Sequence, residues 1–74
     1  MNIRENFSKQ LIFERKKAKI SQEKLADLAN IHRTYISQIE RNLKSPTLEV
    51  VFGICRALSI KPSDFIKDIE DGIF

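Results

Sequence analysis

One cysteine, two glycines and two prolines are all that the 74 residues hold of the types that staple, loosen or break a chain. With Cys55 alone, neither an internal disulfide nor a cysteine-based zinc site can form within the chain. So little glycine and proline beside a 42% hydrophobic fraction argues for a helix-rich folded domain over disorder. No apolar run approaches the roughly 18 residues of a membrane span. The opening MNIRENFSKQ lacks the apolar segment of a secretory signal, so a cytosolic protein is expected. There is no glycine-rich phosphate loop and no metal-ligand spacing. His32 is the only histidine, and no nucleophile, base and orienting group converge in sequence. An enzyme, a cofactor, a metal and a small-molecule substrate are all unexpected.

What is present is cationic, and unevenly so. Residues 1–45 hold ten Lys/Arg against five Asp/Glu (+5), whereas residues 46–74 hold three against five (−2). A basic front and an acidic tail suit a polyanion on one face, although a charge run by itself is often only a solvated surface. The cations after Phe13 cluster at one helix end instead of lining an amphipathic face, which argues against a membrane-surface role.

The apolar spacing predicts one domain over 1–74, built from five helices without strands. The first runs from about Ile3 to Ala18, with Ile3, Phe7, Leu11 and Ala18 along one side. Ser21 caps a second helix, Gln22–Ala29, that buries Leu25, Ala26 and Leu28. Asn30 supplies a left-handed residue for a tight turn, and Ile31 anchors that turn. His32 begins a third helix, Arg33–Glu40, whose narrow stripe of Ile36 and Ile39 leaves the opposite face polar. Thr47 caps a fourth helix, Leu48–Leu58, burying Leu48, Val51, Ile54, Cys55 and Leu58. Pro62 starts a fifth, and Gly72 ends it. Two short helices joined by a tight turn, over about 21–41, form the unit that sets one helix into the major groove of duplex DNA.

Residues 7–69 resemble the Cro/C1-type helix-turn-helix regulators of phages and bacteria. The resemblance rests on SQEKLADLAN, IHRTYIS, Glu40 with Arg41, and the SPTLE start of the fourth helix. HRTYISQIER is similar to the controller proteins of restriction–modification systems. The resemblance implies a lambda-repressor-like fold in a cytoplasmic protein of bacterial or phage origin, acting without cofactor. It implies a bridge between Arg15 and Glu40, base-reading positions at His32, Arg33, Thr34 and Gln38, and Tyr35 on the sugar-phosphate or a base edge. It also puts Gln22, Asn42, Lys44, Ser45 and Thr47 on phosphates. Lys19 and Ser59 depart from the pattern, standing where relatives often carry a helix-ending glycine, and Glu14 stands where an apolar residue is common.

Arg33 has the sharpest chemistry, because a guanidinium matches the O6 and N7 acceptors of guanine with two parallel bonds. Gln38 can pair with adenine, and Thr34 suits a thymine methyl or a phosphate; each also reads as a solvated helix residue. His32 reads first as the capping residue of the third helix and only then as a base reader, and Tyr35 reads also as a core-edge aromatic. So short a chain makes few contacts alone, so a homodimer on a near-palindromic double-stranded operator is expected. Phe65, Ile66, Ile69, Ile73 and Phe74 offer an apolar surface for it within 48–74. A contact with RNA polymerase fits a regulator of this kind. The alternative is an antitoxin-like protein-interaction module that keeps the fold without binding DNA.

Overall fold

The computed structural model of the protein describes residues 2–73, and the chain there winds into five helices. They are α1 (Ile3–Lys17), α2 (Gln22–Ala29), α3 (Arg33–Glu40), α4 (Leu48–Ala57) and α5 (Pro62–Ile73). Helix starts follow the polar residues that precede them. Asn2, Ser21 and Thr47 each accept a bond from a backbone N–H three residues on, at 2.9, 2.9 and 3.2 Å. His32 stands at the start of α3 with extended backbone but makes no capping bond through its ring.

Helix ends follow a different rule. Lys19, Asn30, Asn42 and Ser59 all adopt left-handed backbone, with φ of 60°, 58°, 61° and 59°. In each case the next residue's N–H returns to a carbonyl five residues back: Ile20 to Arg15, Ile31 to Ala26, Leu43 to Gln38 and Ile60 to Cys55. These are the reciprocal bonds that close a helix with a left-handed residue. The chain does this four times without glycine. Ile20, Ile31 and Ile60 then fold back onto the core.

Phe7, Leu11, Leu25, Ile36, Ile39, Ile54, Cys55 and Phe65 form the centre of the core, joined by Ala26, Val51 and Ile69. Phe7 and Phe65 meet edge to face, centroids 5.2 Å apart, and join α1 to α5. Ser8, buried among them, donates from Oγ to the Ile39 carbonyl at 2.6 Å and ties α1 to the end of α3.

Several expectations are corrected here. Leu28, Leu48 and Ile3 are exposed, as is Ala18, because all four stand in the first or last turn of a helix or just past it, away from the centre of the core. Gly72 does not end α5, which continues through Ile73. Phe65 and Ile69, expected at a dimer surface, are 1% and 5% exposed and belong to the chain's own core. Phe74 lies outside the described residues. What remains outward on α5 is Ile66, with Ile73 half-buried, around a recess of about 250 Å³ that also touches Ile3.

Candidate nucleic-acid interface

The angle of α3 is set from beneath. Ile36 and Ile39 are fully buried, so the opposite side of an eight-residue helix must face outward. At its C-terminal end, Glu40 accepts from Arg15 Nε at 2.6 Å and Arg15 Nη2 at 2.9 Å, a two-pronged pair. Gln22 Nε2 donates to the same carboxylate at 3.0 Å, and Arg15 Nη1 reaches the Ile20 carbonyl at 2.9 Å. One nearly buried carboxylate thereby joins α1, α2 and α3. Its hydrogen bonds raise the Arg15 guanidinium above its already high ordinary value, against the opposing cost of burial. A buried pair of this kind holds geometry more surely than it adds stability.

Over this frame the polar residues gather. His32, Thr34, Tyr35, Gln38, Lys44 and Ser45 surround one open recess of about 540 Å³ between the head of α3 and the loop that follows it. Arg33 is exposed on the first turn of α3 but stands outside that recess. Among the described residues, neither Arg33 nor Lys44 enters an ion pair, so both charges face solvent unneutralised. Tyr35 and Gln38 are half-buried and both line the recess, with Tyr35 packed against the core.

Three of the expected contact residues already have intramolecular partners. Gln22 is held by Glu40. Asn42, left-handed just beyond α3, accepts from Arg4 Nε at 3.0 Å through Oδ1. Thr47 uses Oγ1 to cap α4. Gln22 and Asn42 retain amide N–H donors, and Thr47 retains its hydroxyl proton, each able to meet a phosphate oxygen. The bond between Arg4 and Asn42 joins residues 38 apart in sequence, and nothing in local spacing announces it.

Elsewhere the chemistry is quiet. Cys55 is fully buried, and burial pushes its thiol up to about 11, with the Glu14 charge adding to the shift. No group of three or more His, Cys, Asp or Glu side chains among the described residues is placed to hold a metal ion. No helix among them is long and apolar enough to cross a membrane.

A family model described as helix-turn-helix matches residues 11–65. Control protein C.BamHI of Bacillus amyloliquefaciens is 44% identical over 50 residues, covering 68% of this chain and 62% of that protein. Control protein C.SmaI of Serratia marcescens is 34% identical over 59 residues, covering 80% and 70% respectively. The match thus spans less than two thirds of the first relative and just over two thirds of the second. The crystal structure of the wild-type restriction-modification controller protein C.Esp1396I superimposes with a TM-score of 0.91 at 28% identity. That superposition covers 100% of this chain and 95% of the other.

Proposed function

Because the chain belongs to the Cro/C1-type helix-turn-helix family, we propose that it is a sequence-specific double-stranded DNA-binding transcriptional regulator. The observation that carries this reading is the solvent-facing head of α3. Arg33, in no ion pair among the described residues, is exposed on the first turn, while Thr34, Tyr35 and Gln38 line the recess, and Ile36 and Ile39 beneath are fully buried. In this reading α3 enters the major groove and Arg33, Thr34 and Gln38 meet base edges, with His32 at the rim. Gln22, Tyr35, Asn42, Lys44, Ser45 and Thr47 grip phosphates on either side.

The protein works as a homodimer, because two copies on related half-sites combine affinities that one small module cannot reach. Ile3, Ile66 and Ile73 supply the apolar surface in place of Phe65 and Ile69. Likeness to proteins named as controllers supports a role as repressor, activator or both, with RNA polymerase as a further partner in activation.

The test is selection of duplexes from a random pool by the purified protein. Enrichment of a near-palindrome with half-site centres about 34–36 Å apart supports the reading. A pool that stays random at low ionic strength contradicts it.

A further inference from the structure

Arg4 has no role in the reading above, yet its placement is specific. We propose that Arg4 is an additional phosphate-contacting residue of the DNA interface, held in position at the corner between α3 and α4 by Asn42; this rests on the DNA-binding reading.

Arg4 lies in the first turn of α1, and its Nε donates to Asn42 Oδ1 at 3.0 Å. That partner is a neutral amide, so it orients the guanidinium without cancelling its charge. Glu5, the adjacent carboxylate, pairs with Lys9 at 3.5 Å, and no ion pair engages Arg4 among the described residues. With Nε engaged, both Nη groups remain as donors, the planar fork that suits a phosphate.

The corner itself is fixed. Ser8, one turn further along α1, reaches the Ile39 carbonyl at 2.6 Å, which locks the start of α1 against the end of α3. Arg4 lines a recess of about 570 Å³ whose floor is apolar, with Ile3, Phe7, Val51 and Ile66, and whose other lining residues include Ser45 and Pro46. Ser45 also borders the recess of Thr34, Tyr35, Gln38 and Lys44. The two recesses therefore meet at one residue, and Arg4 extends the cationic rim of Lys44 onto α1. A duplex resting on the α3–α4 loop presents its backbone to this rim.

The experiment measures binding by fluorescence anisotropy for wild type, Arg4→Gln and Arg4→Lys. Two probes are used, the duplex selected by the wild-type protein and a scrambled duplex of the same composition. Near physiological salt, Arg4→Gln weakens both duplexes alike, by about fivefold, and lowers the log–log salt slope by about 0.9. Its thermal midpoint stays at the wild-type value, and Arg4→Lys recovers the slope with only part of the affinity. Wild-type affinity and slope in Arg4→Gln would overturn the proposal. So would a loss that follows a lowered thermal midpoint with an unchanged slope. A wild-type protein that binds neither duplex would overturn the DNA-binding reading as well, a result distinct from the other two.

Discussion

Cys55 and Arg15 show how differently one core treats two ionisable side chains. Arg15 reaches the interior only because Glu40 meets it with two bonds, whereas Cys55 enters as a neutral thiol and needs no partner. The cost of ionising that thiol has a measurable consequence. Its folded-state value of about 11 lies above the ordinary 9.0, so above pH 9 the unfolded chain loses a proton that the folded chain keeps. Cys55 therefore contributes stability in full below about pH 9 and loses it progressively up to about pH 11. Urea unfolding of wild type and Cys55→Ala across this window checks it: their stability difference should shrink by about 2 kcal/mol. A difference that stays constant with pH would mean that the thiol ionises freely in the folded protein. At this scale the sequence was legible wherever a residue acts on its near neighbours. Ser21, Asn30, Thr47 and Pro62 all stand where their chemistry puts them. The Arg15–Glu40 bridge came from family resemblance, and Arg4–Asn42 was invisible because its partners are 38 residues apart.

Helices here end by a shared device, and two of the four ends use residues poorly suited to it. Asparagine tolerates left-handed backbone, so Asn30 and Asn42 are well chosen. Lys19 and Ser59 adopt the same φ with a side chain that crowds the following carbonyl. Their departure from the family's glycine left the helix ends intact because the returning bonds of Ile20 and Ile60 outweigh the local strain. Lys19→Gly and Ser59→Gly should each stabilise the protein by about 0.5–1 kcal/mol, strain relief exceeding the added freedom of the unfolded chain. Thermal melting would read each as a rise of several degrees, about 4–8 °C per kcal/mol for a domain of this size. No rise, or a fall, would show that these positions carry little strain. Burial was less legible than helix position. Periodicity marks the middle of an apolar stripe, and Ile36, Ile39, Val51 and Ile54 are buried as that predicts. Which neighbours arrive is not written in that period, so Leu28 and Leu48, in a last and a first turn, face solvent while Phe65 and Ile69 turn inward.

Across the whole molecule, charge and shape divide the labour of binding. The basic first 45 residues include Arg33, Arg41 and Lys44 around the head and foot of α3, whereas Asp64, Asp68, Glu70 and Asp71 crowd onto α5. Such a distribution turns the α3 side toward a polyanion and keeps the acidic tail away from it. General attraction of this sort weakens steeply with salt and does not distinguish one duplex from another. In the proposed reading, preference comes from the few side chains offered to base edges, Arg33 first among them. The most direct test of that claim compares the affinity ratio for selected over scrambled duplex in wild type, Arg33→Ala and Lys44→Ala at one fixed salt concentration. The account predicts that Arg33→Ala lowers the ratio by about 1–3 kcal/mol, while Lys44→Ala weakens both duplexes and leaves the ratio unchanged. An Arg33→Ala protein with the wild-type ratio would contradict it, because α3 would then not be the element that reads the sequence.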